Sequence, residues 1–346
     1  MFHHFVFANN FLVTGSWDSQ DGLFRNLGPV AVMIFFFITA FLFYGRAGDS
    51  KDIVDWVKTY ISRFFRIAPL YAFAIIVMFL IVYTRDGWTL AVSVKQEATS
   101  FIKSLALGLF RFTPINGDDR AFVINAGVTW TLRYEWIFYF SLPLVALFIR
   151  FVPSWTVRIG VLLAAFLVGG LLHRQAFGFR TEPAVVFTLG MLAYEISKFK
   201  AIKPIMGGPI TSAVGLVCLG IALVYPFSWF APMQIALAFC FFLPTIFENS
   251  YFGVLHMAAS RMLGEISYGL YLLHGMVLYL GLRAFAGAGL LPEGDARWWL
   301  ILPLSTVVVL TSAATYVVIE RPGIAVGRRL SRAISRQRMK VPATAA

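Results

Sequence analysis

Nine apolar stretches, each long enough to approach the thickness of a bilayer core, run through this 346-residue chain and constrain its fold more than any other feature. A helix needs roughly 17–25 such residues to cross lipid. The stretches lie near 28–44, 67–84, 134–149, 157–173, 183–197, 210–225, 229–247, 264–286 and 299–319. Charge or Pro/Gly punctuation bounds them, as at Arg85-Asp86-Gly87 and Lys203-Pro204. Ahead of them, Met1 to Val13 is apolar but too short to span, and it lacks the basic leader and small-residue cleavage site of a signal peptide. It reads as the outer part of a first helix whose beginning precedes this chain. The expected fold is therefore all-α: a polytopic transmembrane helical bundle of about ten spans, the first incomplete. Residues 1–322 form one membrane domain, and 323–346 a basic cytoplasmic tail.

Composition excludes the soluble alternatives. Apolar residues make up 59% of the chain and charged residues 13%, against roughly 45–50% and 25% in soluble domains. That leaves too little polar surface to cover a water-soluble fold of this length. Cys218 and Cys240 both sit in apolar runs, which excludes a disulfide framework, and no Cys/His spacing suggests zinc. The net charge of +12 does not point to nucleic acid, because the basic residues cluster in loops on one side of the spans. If the first helix runs outward, eighteen Lys and Arg fall on cytoplasmic segments and ten on outer ones. Six of those ten lie in one long outer segment, 85–133, where the positive-inside rule weakens. Both termini are expected in the cytoplasm. The tail from Arg321 to Lys340 is either a surface for anionic lipid or a solvated end. Apolar residues at 101, 102, 105, 106 and 109 give Lys95 to Phe112 the pattern of a helix lying in the outer interface.

Ionisable residues in or beside apolar spans are costly, about 2.5–3.5 kcal/mol or more at mid-membrane, and so mark candidate sites. His3 and His4 fall about ten residues, or roughly 15 Å, below the outer end of the first helix. A neutral histidine there is either packed or a general base toward an alcohol. Arg63 and Arg66, three apart, share a helix face at the cytoplasmic boundary. They are either positive-inside charge or a pair of guanidinium forks for phosphate. Glu135 is expected near the outer boundary, in an aromatic belt, and does not share a face with Arg133. His274 is a lone histidine on the ninth span, where Arg283 also lies. Glu320-Arg321-Pro322 closes the last span, with the proline expected to stop the helix.

Five strings, in order along nearly the whole chain, resemble acyltransferase family 3, membrane-bound O-acyltransferases of bacterial cell-envelope glycans and some secreted metabolites. Arg63-Phe64-Phe65-Arg66-Ile67-Ala68-Pro69-Leu70-Tyr71 resembles the family's R-x-x-R-I-x-P-x-Y. Val32 to Phe41 is similar to G-V-x-x-F-F-x-x-S-G-F, with Thr39 and Ala40 in place of Ser and Gly. Trp130-Thr131-Leu132 with Glu135 and Phe138-Tyr139 resembles W-S-L-x-x-E-x-x-F-Y. Ile266 to His274 resembles I-S-Y-x-x-Y-L-x-H, and Ile319-Glu320-Arg321-Pro322 resembles the closing I-E-x-P.

The resemblance implies an acyl-coenzyme A donor, acetyl being the family's commonest acyl group, with its phosphates on Arg63 and Arg66. No permanently bound cofactor is expected. The family's first-span histidine falls at His3 or His4, and His4, followed by Phe, matches better. That histidine takes a proton from the acceptor hydroxyl or carries the acyl group briefly, with Glu135 a second catalytic candidate. His274, Glu320, Tyr71 and Trp130 are further candidates through the motifs that contain them. The implied partners are acyl-coenzyme A, membrane lipid and a glycan or lipid-linked saccharide acceptor, in a bacterial inner (plasma) membrane. A transporter or flippase of an envelope precursor is the competing reading, since buried charge also lines substrate paths; no inverted repeat supports it.

The charge count yields a direct test of orientation. A cysteine placed at position 51 should resist a membrane-impermeant label applied to intact cells, and one at position 95 should react. The reverse pattern would put the arginine pair on the outside.

Overall fold

In the computed structural model all ten apolar segments are helical, as an environment without water requires of the backbone. The structure describes residues 1–18, 22–50, 53–171, 175–176 and 179–340, with the side chains of 53–54, 170–171, 175–176, 179, 295 and 337–340 left aside. Lys51, Arg174 and the tail residues 341–346 therefore lie outside the described residues. The apolar segments form α1 (Phe2–Thr14), α2 (Gly22–Asp49), α3 (Ile53–Arg85), α5 (Trp130–Phe151), α6 (Trp155–Leu171), α7 (Glu182–Ile196), α9 (Pro209–Val224), α10 (Pro232–Phe242), α12 (Ser267–Gly287) and α13 (Ile301–Thr315). Between them lie α4 (Val94–Leu105), the single turn α8 (Lys203–Met206), α11 (Ala258–Glu265) and, after α13, α14 (Arg321–Lys340). A hairpin of two-residue strands, β1 (Gln175–Ala176) and β2 (Phe179–Arg180), joins α6 to α7.

Among the described residues, five helices are long and apolar enough to cross a membrane by themselves: α2, α3, α5, α12 and the run Ala296–Arg336 that contains α13. Lys200–Met206 and Pro209–Val224, bent by 74°, make a sixth if taken as one broken span. Trp155–Gly169 and Pro232–Phe247 are apolar but shorter. The protein is thus an integral membrane helical bundle.

α2 is the hub, packed against α1, α5, α7, α9 and α10. Its buried face presents Phe36 and Phe37, both fully buried. Phe36 stacks on Phe187 of α7 at 4.5 Å, and Phe187 stacks in turn on Phe138 of α5 at 4.5 Å. The α2–α7 approach is close because Gly190 meets the backbone of Phe37 and the methyl of Ala40 where a larger residue would clash.

A polar cluster ties α2, α6 and α7 together near one end of the bundle. Glu195 is fully buried and accepts from Arg158 Nε at 2.6 Å, Tyr44 at 2.7 Å and Lys198 at 2.6 Å. Arg158 also donates to the carbonyls of Val152 and Pro153, which end α5 without further helical partners. At the opposite end, the segment after α3 is organised by Asn116. Its side chain donates to Asp86 and Thr89 and accepts from the Ala91 amide, each within 2.9 Å. Hydrogen bonds from Arg85 and Asn116 hold Asp86 below the ordinary carboxylate range.

Two expectations from the sequence need correction. Pro322 does not end the last span: α13 continues through a π-helical turn, Tyr316–Glu320, into α14. The wider turn falls directly before Pro322, so the missing N–H and the ring are accommodated at the start of a new α segment. The basic residues after 322 therefore belong to a helix packed along α3, where Gly323 and Gly327 rest on Phe65 and Pro69. The helix expected between Lys95 and Phe112 forms but is shorter, ending at Leu105, and Ile102 is exposed. Its buried positions are Glu97 and Ser100, held by the Asn116 amide and the Pro114 carbonyl.

Arg158→Ala should strip Glu195 of its bidentate partner and lower stability by about 3–5 kcal/mol. Combining it with Glu195→Leu should recover part of that loss, as read from thermal unfolding in detergent.

Candidate active site

One cavity of about 610 Å³ lies among α1, α2, α3, α5 and α12. Seven of the nine candidates read from the sequence line it: His3, His4, Arg63, Arg66, Trp130, Glu135 and His274. Tyr71 and Glu320 do not.

The histidines occupy one end. His4, in the first turn of α1, has Nδ1 2.7 Å from Nε2 of His274, two turns into α12. His274 Nδ1 lies 2.9 Å from the carbonyl oxygen of Leu270. His3, whose ring meets that of His4 edge-on at 4.6 Å, directs its Nδ1 to the carbonyl of Phe24 at 2.9 Å, and its ring lies against Gly28 of α2, where a side chain would collide with it. The structure thus separates two neighbours that the sequence treats alike. His4 joins α1 to α12, and His3 joins α1 to α2.

The arginines occupy the other end. Being three apart on α3, both face the cavity. Arg63 sits over the Phe43 ring at 4.7 Å, and its Nε makes no hydrogen bond. Arg66 reaches Glu320 at 3.5 Å and the Glu265 carbonyl at 3.3 Å. Glu320 is fully buried in the π-helical turn, and neither of its carboxylate oxygens has a hydrogen bond.

Glu135 is not an interfacial carboxylate. It sits more than one turn inside α5, 4% exposed, with Tyr139 donating to it at 2.9 Å. The i to i+4 spacing of Glu135 and Tyr139 in an apolar helix is the signal that points inward. Tyr71 lies on another face of α3 and donates to the Ser104 carbonyl at 2.8 Å, so it anchors the end of α4 instead of facing the cavity. Trp130 lines the cavity and packs on Trp229 at 5.2 Å.

Six polar residues of the cavity were passed over as candidates in the sequence: Thr39, Thr131, Tyr139, Ser267, Tyr268 and Tyr271. Tyr271 exchanges a hydrogen bond of 2.7 Å with Thr131 and donates to the Val128 carbonyl. Tyr268 donates to the Ile67 carbonyl beside Arg66 at 3.0 Å. Tyr271 sits three residues before His274, a same-face spacing that would have found it.

A family model and a distant relative match this chain. The acyltransferase domain family Acyl_transf_3 matches residues 1–318. The chain belongs to acyltransferase family 3. It is also similar to the acyltransferase MdmB of Streptomyces mycarofaciens, 24% identical over 331 positions covering 86% of this chain and 81% of that protein. No solved structure matches it. The chain is an acyltransferase, so the transporter reading gives way to an enzyme.

The seating of α12 is part of the site. Gly275, next to His274, lies against the backbone of Asn125 and Ala126, and an added methyl would overlap both. Gly275→Ala should push α12 from this turn and draw His274 away from His4. Activity should fall by about tenfold or more, with about 1–3 kcal/mol of stability lost to overpacking. An acyl-transfer assay paired with a thermal melt checks both.

Proposed function

We propose that the protein moves an acyl group, acetyl in the simplest case, from acyl-coenzyme A to a hydroxyl of a cell-envelope glycan, a lipid-linked saccharide or a related acceptor. The observation that carries this reading is one cavity with two guanidinium groups at one end and a histidine pair at the other. Arg63 and Arg66 bind the donor's phosphates, for which forked, always-charged donors are suited. Along α12 the ends are separated by the seven residue steps from Ser267 to His274, about 10 Å of helix. The donor's acyl-bearing arm spans that distance inside the cavity.

His4 Nε2 takes the proton of the acceptor hydroxyl as its oxygen bonds to the thioester carbonyl carbon. The tetrahedral adduct collapses with cleavage of the carbon–sulfur bond. The proton returns from His4 to the departing thiolate, giving ester and free coenzyme A. Glu135, hydrogen-bonded by Tyr139, supplies negative charge beside Arg63 and keeps its guanidinium turned to the donor.

The donor end faces the cytoplasm and the acceptor comes from the outer side. The excess of basic residues on the segments around Arg46–Arg66 and on α14 supports this orientation, with both termini cytoplasmic in a bacterial inner membrane. Ten spans, formed by α1, α2, α3, α5, α6, α7, α9, α10, α12 and α13, accord with it.

Arg63→Ala and Arg66→Ala should each weaken acyl-coenzyme A binding by about 1.5–3 kcal/mol, and lysine at either position should restore it only in part. His4→Ala should leave donor binding intact and slow transfer by about a hundredfold or more. Donor binding by calorimetry and acyl transfer from radiolabelled acetyl-coenzyme A separate the two effects. Normal transfer by the His3→Ala/His4→Ala double variant would sink the catalytic assignment.

A further inference from the structure

The hydrogen-bonding pattern around His274 fixes where its protons are, and through it the protons of His4. A carbonyl oxygen only accepts, so the 2.9 Å contact with Leu270 requires His274 Nδ1 to carry a hydrogen. In a neutral ring Nε2 then has a bare lone pair. The 2.7 Å contact between that Nε2 and His4 Nδ1 can form only if His4 Nδ1 is the donor. His4 in turn keeps its own lone pair on Nε2. A chain of two donors ending on a backbone carbonyl thus leaves one unprotonated nitrogen on the cavity-lining residue His4.

We infer that His274 is a positioning residue that holds His4 in the tautomer with Nε2 free to act as the base. The inference rests on the proposed acyl transfer with His4 as base, and it adds a role for a residue that need not touch either substrate. His274 is well placed for this. It is 4% exposed and shielded from competing donors. Its own orientation is set within α12 by a carbonyl four residues earlier, so its aim does not depend on any ligand. Gly275 and Tyr271 seat the same helix against the turn around Asn125–Val128, which fixes His274 relative to α1. The energetic logic is that of orienting groups in hydrolytic triads, where the wrong histidine tautomer costs about 10⁴ in kcat with the geometry intact.

Three substitutions test the inference on the full-length protein. His274→Gln places a carbonyl acceptor near the position of Nε2 and can still receive the His4 proton. His274→Ala offers no partner. His274→Lys offers only donors and forces His4 into the opposite tautomer. Expected are a fall in kcat of about a hundredfold or more for Ala and Lys, a donor KM within about threefold of the parent, and at least about tenfold recovery for Gln over Ala. Nitrogen-15 histidine spectra of the parent protein, with the His4 signals assigned by their loss in His4→Ala, should show Nδ1 protonated and Nε2 bare. A parental kcat in His274→Ala overturns the inference, as does a folded Gln variant no faster than Ala. A His4 protonated on Nε2 in the parent overturns it even if the variants fail to fold. If His4→Ala itself transfers acyl groups at the normal rate, the acyltransfer reading of His4 fails. If His4→Ala is inactive and His274→Ala is not, only the role of His274 fails.

Discussion

An ionisable group in a bundle solvated by lipid persists only where another group answers it, and this constraint sorts the buried charges of the protein into two kinds. Glu195 is answered in full: Arg158, Lys198 and Tyr44 all donate to it, and Arg158 spends its remaining hydrogens on carbonyls. Such a cluster has nothing left to offer a ligand, and it pins α2, α6 and α7. The groups at and beside the cavity are answered incompletely. Arg63 Nε has no acceptor, and both oxygens of Glu320 lack donors, the nearest cation being Arg66 at 3.5 Å. An anion in the cavity would complete Arg63, whereas the Glu320 oxygens call for a donor.

That distinction explains which parts of the protein could be read from its sequence. The helices follow from apolar length alone, because lipid leaves the backbone no other solution. Arg63 and Arg66 were legible as a pair because a spacing of three on a helix places them side by side whatever the tertiary structure. Glu135 was misplaced because the aromatic residues around it suit both an interface and a cavity wall, and only the packing of α5 against α2 decides between them. Tyr71 sits in the same motif as the arginines, yet its position on the helix turns it toward α4. Pro322 misled because its usual effect as a helix breaker is absorbed by the π-helical turn before it.

The pairing of His4 with His274 is the clearest case of information absent from local pattern. The two are 270 positions apart, on the first and twelfth helices, and each alone reads as a packed histidine. Meeting in the cavity, they become a directional chain. His3, next to His4, carries the same chemistry but is committed to α2. A one-residue difference on a helix, about 100° of rotation, is enough to aim one ring nitrogen at α2 and the other at His274 of α12.

α12 then links the two ends of the site. Near its start Tyr268 donates to the Ile67 carbonyl, next to Arg66 on α3. One turn on, Tyr271 bonds to Thr131 and Val128 at the head of α5. A further turn on, His274 meets α1 while Gly275 closes against Asn125. The separation between the arginine end and the histidine end of the cavity is therefore set by one continuous helix whose rise per residue is fixed. Acyl transfer gains most when the reacting atoms are held by groups that do not move relative to one another. A single helix bonded to three neighbours along its length provides that rigidity.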